Sequence, residues 1–364
     1  MLEAVLQIAR VAKILAALSV LACLLAAQPS LSAFAANEES GFVRTGGVEI
    51  FWRWLDPAPG IPARGAIAHF TGTTDSCDRN LPTHRAFAAL GFAVFCHDHR
   101  GQGRSTRLGA SRPVVHTDSF MRYVTDADAV LEAAFVPRAK ARGLKRYLAS
   151  TSMGGAVAFL YVEERPEAFA AHASTVPMLG INTGPGPDWV VYGAMRIQCL
   201  LGACDRYMLG LGSTAPRGFE GNNMTSDARA WNEMEAFYAQ NPDLRFGGTS
   251  AGWVSEAIRA TWTLAAVRAP KPVPTLILQA ESDTIVLAAP QESFCARNPN
   301  CRIVRVPAAR HGLFEEKKEA SALVRASIAA FYASVSAPAH SARAVRAQAP
   351  EPLRAETHAL GGAL

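Results

Sequence analysis

Short apolar segments alternate with amphipathic ones along most of this 364-residue chain, and that alternation restricts the fold more than any other feature. Each apolar segment has the length of a buried strand, and the longer stretches have helical periodicity. The predicted strands are 47–54, 66–70, 92–96, 147–149, 168–173, 274–279 and 301–306, and the predicted helices are 82–90, 125–136 and 154–164. Strands joined by helices lie parallel, so we predict an α/β fold with a mostly parallel central sheet flanked by helices.

One long segment interrupts the alternation. Between Pro177 and about Ala269, stretches with Gly and Pro are followed by amphipathic helices such as 228–239. We expect this insertion, at about 178–268, to form a helical cap over the edge of the sheet. The folded domain is expected to span residues 37–335.

The two ends of the chain have different compositions. Basic residues precede an apolar stretch at 14–27, and a small-x-small motif follows at 33–35, so residues 1–36 are predicted to be a cleaved export signal. The protein would then be periplasmic or secreted. An uncleaved membrane anchor, or a lipoprotein signal with an acylated Cys23, are the alternatives. Residues 336–364 are rich in Ala, Pro, Arg and Ser without periodicity, and we predict a disordered tail.

Cysteine content agrees with export. Seven cysteines less Cys23 leave six, an even number that favours disulfides in an oxidising compartment. Two pairs are close in sequence, Cys199 with Cys204 and Cys295 with Cys301, which leaves Cys77 with Cys96. Six buried thiols are the alternative.

Composition and charge argue against a nucleic-acid partner but exclude few other functions. Hydrophobic residues make up 49% and charged residues 18% of the chain, as in ordinary globular proteins. The formal charge of +5 is spread along the chain without a basic run, so no nucleic-acid partner is predicted.

The most informative motif is Ser150-Thr151-Ser152-Met153-Gly154-Gly155, between a predicted strand and a predicted helix. It resembles the nucleophile elbow Gly-x-Ser-x-Gly of α/β-hydrolases, with Ser152 as the nucleophile. The turn at the nucleophile is so tight that only small residues fit two positions to either side. Gly154 meets this requirement, and Ser150 replaces the first glycine. An ordinary strand-to-helix turn is the alternative.

A serine hydroxyl needs a base, and the base needs an orienting carboxylate. In α/β-hydrolases the three follow the order Ser, Asp, His. Asp283 follows the predicted strand 274–279, and His311 follows the predicted strand 301–306, with 311 − 283 = 28 residues between them. We predict that Asp283 and His311 complete a catalytic triad with Ser152. A structural histidine is the alternative reading of His311.

Acyl transfer also needs hydrogen-bond donors for the oxyanion. The backbone amide of Met153 is predicted as one, since it follows the nucleophile at the start of a helix. The amide of Thr73, in the loop 71–74 after an early strand, is predicted as the other. An ordinary turn is the alternative for this loop.

The segment His97-Asp98-His99 has residue types that ligate metals, but the Gly-containing sequence after it favours a structural loop. The pair Gly101 and Gly103 is too short for a dinucleotide fingerprint. No metal and no cofactor are predicted.

Several motifs together resemble one family. The segment 97–105 looks like a loop of bacterial lysophospholipases and monoacylglycerol lipases, a group filed with the S33 serine aminopeptidases. The elbow, the segments 279–283 and 309–311, and the insertion motifs at 224–227 and 241–253 are similar to the same group in the same order. The resemblance covers roughly 41–334. Departures are Ser150-Thr151, where the family usually has Gly-His, and Thr73-Thr74 in the oxyanion loop.

This resemblance implies hydrolysis of a carboxylic ester of a single-chain lipid through an acyl-enzyme, without a cofactor. The expected partner is a small lipid ester, with association to a membrane surface as a further possibility and no protein partner. The apolar residues of the insertion, among them Trp189, Val190, Leu200 and Leu201, suit an acyl chain. An S33-type peptidase of the same fold and a catalytically inactive binding protein are the alternatives.

Overall fold

The computed structural model describes residues 38–208, 212–216 and 218–336. The predicted export signal 1–36 therefore lies outside the described residues, as does the segment 337–364 of the predicted tail. Among the helices of the described ranges, none is both long enough and apolar enough to cross a bilayer.

An eight-stranded sheet forms the centre of the molecule, in the order β1-β2-β4-β3-β6-β7-β9-β10. Its strands are β1 (Glu38–Thr45), β2 (Val48–Leu55), β3 (Gly65–Phe70), β4 (Phe92–His97), β6 (Arg146–Thr151), β7 (His172–Thr175), β9 (Thr275–Ala280) and β10 (Cys301–Val306). A separate parallel pair joins β5 (Val114–Val115) to β8 (Gly248–Thr249). In the large sheet β1 pairs antiparallel with β2 and β2 with β4, and all other pairs are parallel. The prediction of a mostly parallel sheet is confirmed.

Helices cover the sheet on both faces. They are α1 (Leu81–Ala89), α2 (Phe120–Val130), α3 (Val136–Ala141), α4 (Met153–Glu164), α5 (Asp188–Leu200), α6 (Ala228–Gln240), α7 (Ala251–Ala266), α8 (Ala288–Arg297) and α9 (Lys318–Ser336). A π-helical turn, Leu131–Phe135, joins α2 to α3, and a 3-10 turn, Pro242–Leu244, follows α6. Helix α4 is buried along most of its length, which explains why its sequence is apolar on every side.

Most predicted boundaries lie within two residues of the observed ones, and three differences affect the organisation of the chain. The strand expected at 168–173 is His172–Thr175, because the preceding alanines lie in the connection that leads into it. The helix expected at 125–136 starts at Phe120, where the Ser119 hydroxyl accepts a hydrogen bond from the Met121 amide and caps the helix. Helix α9 continues through Ser336, so the first residue assigned to the disordered tail is helical instead.

The predicted insertion consists of two parts. Helices α5 and α6, with the turn after them, lie in its first part. Helix α7, in its second part, packs against α4 and α2 as well as α5, and ten of its residues are buried. The last third of the insertion therefore belongs to the helical layer over the sheet as much as to a cap.

Three disulfides join the six cysteines of the described residues. They connect Cys77 to Cys96, Cys199 to Cys204, and Cys295 to Cys301, which are the pairs expected from sequence. The first joins the loop after β3 to strand β4, and the other two close short loops at the ends of α5 and α8.

Five buried histidines make stability depend on pH. Burial lowers the pKa of His69 and His99 to about 4 and that of His172 to about 3, and it lowers the pKa of His84 and His97 well below the usual value. The folded protein keeps these rings neutral, whereas the unfolded chain takes up protons below about pH 6.5. Stability is therefore full above that pH and is lost as the pH falls towards the folded pKa values.

We expect the free energy of unfolding to fall by several kcal/mol between about pH 7.5 and about pH 5.5. Each histidine contributes about 1 kcal/mol to the loss. Asp98, whose pKa burial raises to about 7, and Asp126, whose pKa burial also raises, work in the opposite direction, but they are two groups against five. Urea denaturation at the two pH values measures the difference, with about pH 8.5 as the control at which no further change is expected. Equal stability at pH 7.5 and 5.5 would contradict the neutral buried histidines.

Candidate active site

Ser152 lies at the turn between β6 and α4, with a backbone φ of +52° that few residues other than glycine adopt. The turn is possible because Gly154 passes directly under β3: a Cβ at this position would lie 2.2 Å from the Phe70 carbonyl oxygen. Gly155 is enclosed in a similar way by Pro177, at 2.7 Å. The geometry is that of a strained strand-to-helix elbow, as the motif predicts.

Ser150 occupies the place of the usual first glycine without strain. Its hydroxyl donates to Ser174 Oγ (2.8 Å) and lies 2.7 Å from His172 Nε2. His172 is neutral because burial lowers its pKa to about 3. The single Ser150 hydroxyl proton is donated to Ser174, so His172 Nε2 is the donor in this contact. The departure from glycine is thus absorbed by a hydrogen-bonded pair on the neighbouring strand β7.

Thr151, the second departure from the family pattern, is also hydrogen-bonded. Its Oγ1 lies 2.9 Å from Thr175 Oγ1 and 3.2 Å from His69 Nε2. His69 in turn contacts His84, with His69 Nδ1 3.0 Å from His84 Nε2. Thr151, His69 and His84 therefore form a chain of polar contacts that supports the end of β6, where the elbow begins.

Asp283 and His311 meet Ser152 at the carboxyl ends of the strands. His311 Nδ1 donates to Asp283 Oδ2 (2.8 Å), which leaves Nε2 to accept from Ser152 Oγ (2.9 Å). The other oxygen of Asp283 accepts from the amides of Ile285 (2.8 Å) and Val286 (3.1 Å), so the carboxylate is held in place. The structure brings the three predicted residues together in the expected order, with His311 only 4% exposed.

The two residues predicted to supply oxyanion donors belong to the start of α4 and to the loop that approaches Ser152 from β3. Met153 is the first residue of α4, where amides have no partner within the helix. The loop 71–74 reaches the nucleophile from β3: a Cβ on Gly72 would lie 3.5 Å from Ser152 Cβ, and Thr73 follows it. The next residue, Thr74, has a φ of +59°, and its carbonyl accepts from the hydroxyl of Tyr238 in α6 (3.4 Å).

The segment 97–105 is hydrogen-bonded to the residues that directly follow this loop. Asp98 is buried and accepts from the amides of Cys77 and Arg104, both at 2.7 Å. Gln102 contacts both sides of the site, since its Oε1 accepts from the Asp75 amide (3.3 Å) and its Nε2 approaches Met153 Sδ (3.8 Å). This placement agrees with the structural interpretation of the segment.

The two histidines of this segment are packed against aromatic rings. The His97 and His99 centroids are 4.6 Å apart, edge to face, with Phe70 beside both. Within the ranges that the structure describes, there is no group of three or more His, Cys, Asp or Glu side chains that could hold a metal ion.

Sequence reasoning missed an arginine, with a side chain only 12% exposed, that connects the two sides of the site. Arg79 Nε donates to Asp75 (2.6 Å), two residues past Thr73, and Nη1 donates to Glu315 (3.1 Å), four residues past His311. Although burial opposes it, the Arg79 charge lowers the pKa of Asp75. Because Arg79 and Glu315 are 236 residues apart, no local pattern could have indicated the contact.

The arrangement suits nucleophilic chemistry at a carbonyl. A hydroxyl on a strained turn, an imidazole beside it, and a carboxylate behind the imidazole are the groups that activate a serine. Together with the mostly parallel sheet, they define the class of the protein as an α/β-hydrolase. The sequence model of the family described as "Serine aminopeptidase, S33" matches residues 61–318, and the chain belongs to this family.

Relatives match over much of their own length. The chain is 31% identical to "Lysophospholipase L2" of Escherichia coli strain K12 over 261 residues, which is 67% of this chain and 76% of the relative. It is 24% identical to "Monoacylglycerol lipase" of Mycolicibacterium smegmatis, covering 78% of this chain and 93% of that protein. The fold is shared with a solved structure, a soluble variant of the monoglyceride lipase of Saccharomyces cerevisiae in complex with a substrate analogue. The TM-score is 0.69 at 16% identity, and the match covers 83% of this chain and 97% of that one.

Substituting Gly154 by Ala should disrupt the elbow. The new methyl group would press on a backbone oxygen of β3 that has no room to move, so we expect the free energy of unfolding to fall by about 3 kcal/mol or more. Gly193→Ala is the matched control, because no atom lies within 4 Å of its added Cβ in α5. There alanine should leave stability unchanged or raise it by up to about 1 kcal/mol. Urea denaturation measures both, and equal effects of the two substitutions would contradict the close approach.

Proposed function

We propose that this protein is a serine hydrolase that cleaves carboxylic esters of single-chain lipids, of the lysophospholipase or monoacylglycerol lipase type. The observation that carries the proposal is a chain of two hydrogen bonds at the edge of the sheet, in which Ser152 Oγ contacts His311 and His311 contacts Asp283. Two relatives that match this chain over most of their own length are named as a lysophospholipase and a monoacylglycerol lipase, and these names support the substrate class.

In the first half-reaction Ser152 Oγ attacks the ester carbonyl while His311 Nε2 takes its proton. Asp283 holds the ring in the required tautomer and stabilises its charged form. The carbonyl oxygen becomes an oxyanion, which the amides of Met153 and Thr73 would stabilise. When the tetrahedral intermediate collapses, His311 gives its proton to the departing alcohol, and the acyl group remains on Ser152.

In the second half-reaction water takes the place of the alcohol. His311 removes a proton from the water, the resulting nucleophile attacks the acyl-enzyme carbonyl, and Ser152 leaves with the proton from His311. The products are the free fatty acid and the alcohol released earlier. The proton transfers between Ser152 Oγ and His311 Nε2 take place across a contact of 2.9 Å.

The peptidase alternative is not favoured. A peptidase for free N-termini needs an unoccupied acid to bind the substrate ammonium, because an unpaired buried charge is costly. Four acids of the insertion already have partners: Asp188 accepts from Trp262, Asp227 caps α6, Glu233 pairs with Arg229, and Glu235 pairs with Arg245. The two relatives described above are named for lipid esters and not for peptides.

The exposed face of α5 supports association with a membrane surface as part of this proposal. The apolar side chains of this face are Trp189, Val190, Ile197, Leu200 and Leu201, and the last two are 81% and 80% exposed. Exposed arginines, Arg196 and Arg206, flank the end of this helix in sequence and would favour anionic head groups. The Cys199–Cys204 disulfide fixes the end of the helix that carries the two leucines.

We also propose that the protein works outside the cytoplasm. The signal pattern in residues 1–36 motivates this, and three disulfides are typical of an oxidising compartment.

Replacing Ser152 by Ala should abolish hydrolysis and fluorophosphonate labelling. The purified wild type should cleave lysophospholipids and monoacylglycerols, faster for longer acyl chains than for short ones, and should not cleave aminoacyl amides. In Ser152→Ala, turnover should fall by several orders of magnitude, since among the described residues no other serine contacts a histidine that is itself hydrogen-bonded to a carboxylate. A hydrolysis panel and in-gel labelling measure both effects.

Ser111→Ala is the control for this substitution, because Ser111 is exposed and has no contact with the site. It should be labelled like the wild type. Persistent labelling of Ser152→Ala would refute the nucleophile. Cleavage of aminoacyl amides with a flat chain-length trend would favour the peptidase instead.

Removing the apolar side chains at the end of α5 should weaken binding to lipid vesicles. We expect the double substitution Leu200→Ser and Leu201→Ser to lower the bound fraction on vesicles of mixed neutral and anionic lipids by about tenfold or more. Hydrolysis of a soluble short-chain ester should not change. Leu323→Ser, on α9 and 47% exposed, is the control and should bind like the wild type. Unchanged vesicle binding of the double variant, measured by flotation, would refute this surface.

A further inference from the structure

The loop that carries His311 is held by a segment of the insertion. The His311 amide donates to the Asn223 carbonyl (3.3 Å), and the Gly312 amide donates to the Met224 carbonyl (2.6 Å). Gly312 is needed for this approach, because a Cβ there would lie 2.9 Å from the Met224 oxygen. The backbone of the proposed base therefore rests directly on residues 222–226, which are nearly 90 positions earlier in the chain.

Side chains reinforce the same contact. Arg310 Nη1 donates to the carbonyls of Asn222 (2.9 Å) and Thr225 (3.1 Å), and Thr225 Oγ1 donates to the Glu315 carbonyl (2.8 Å). Within the insertion, Asn222 Oδ1 accepts from the amides of Met224 and Thr225, both at 2.9 Å, which shapes the segment before it meets the loop.

Glu316 is the one acceptor that both segments share in this contact. Its Oε1 accepts from the Arg310 amide (2.7 Å) and the Ser226 amide (3.0 Å). Its Oε2 accepts from the Ser226 hydroxyl (2.6 Å) and the Lys317 amide (3.3 Å). The carboxylate is buried, with only 4% of the residue exposed, so water has little access to its oxygens to replace these donors.

We propose that Glu316 is a positioning residue for His311: it locks residues 222–226 of the insertion onto the loop that carries the base. This proposal rests on the proposed function. Glu316 does not touch the reacting atoms. It binds the amide of Arg310, the residue directly before His311, and so sets the distance between His311 Nε2 and Ser152 Oγ. A displacement of about 1 Å at this point can reduce turnover a hundredfold.

The central test compares steady-state kinetics of four variants on a soluble monoacyl ester. In Glu316→Ala we expect kcat to fall by about ten- to a hundredfold with KM within about threefold, because alignment is lost while the substrate contacts remain. Glu316→Gln keeps one oxygen for the two amides and should restore kcat to within about threefold of the wild type. Ser226→Ala removes one of the four bonds and should give an intermediate kcat.

Glu319→Ala is the matched control, because Glu319 lies three residues further along and is exposed. Its kinetics should equal those of the wild type. Thermal unfolding and circular dichroism of every variant separate misfolding from misalignment. If Glu316→Ala does not fold, Glu316→Asp takes its place, since it keeps the charge but withdraws the acceptor from Arg310, and it should show the same loss of kcat.

The rate of Ser152 labelling by a fluorophosphonate separates this proposal from the proposed function. Labelling needs only the Ser152–His311 geometry and no particular substrate, so its rate should fall in the folded Glu316 variants in parallel with kcat. If the wild type is labelled but hydrolyses no lipid ester, the proposed substrate class fails while the labelling comparison still tests Glu316. A folded Glu316→Ala or Glu316→Asp with wild-type kcat and labelling rate would overturn the positioning role.

Discussion

The close approach of Gly154 to the Phe70 carbonyl determines where the rest of the site can form. It brings the start of α4 under the end of β3, and only a residue without a side chain fits between them. The same approach puts the loop 71–74 beside Ser152, since this loop continues directly from β3. The nucleophile and both proposed oxyanion donors therefore depend on one contact between the first turn of α4 and the end of β3.

The base and its carboxylate reach this point from the other half of the sheet. Asp283 and His311 follow β9 and β10, whose carboxyl ends lie at the same edge as that of β6. Their loops are long, and long loops need external support to hold a geometry within a few tenths of an ångström. Two long-range contacts supply this support. Arg79 connects Asp75, just after the loop 71–74, to Glu315, and Glu316 connects Ser226 of the insertion to Arg310.

Much of the fold and the central residues could be predicted from the sequence because they depend on local patterns. Buried strands are short and apolar, and residues that follow parallel strands meet at one edge, which was enough to bring Ser152, Asp283 and His311 together. The strand at His172–Thr175 was misplaced because alanine is equally compatible with a strand and with the connection before it. Helix α7 was assigned to the cap because its sequence does not reveal which neighbour buries it.

The supporting residues could not be found in this way. Arg79, Glu315 and Glu316 are charged residues in polar surroundings of the sequence, where most such residues are exposed. The burial of Glu316 and the ion pair between Arg79 and Glu315 depend on partners about 90 and more than 200 positions away. The hydrogen bonds of Ser150 and Thr151 to β7 are equally invisible in sequence, and they explain how the elbow accepts residues that differ from the common pattern.

The contact between residues 222–226 and the loop 310–316 has a consequence for attempts to redesign substrate choice. Insertions of this kind are natural targets for exchange between relatives, because they surround the substrate while the sheet carries the chemistry. In this protein the two are not separable modules, since the insertion also supplies backbone carbonyls to His311 and Gly312. A chimera that imports a foreign insertion would have to keep the five residues 222–226 together with Arg310 and Glu316. Otherwise a change meant for specificity would register as a loss of turnover on every substrate.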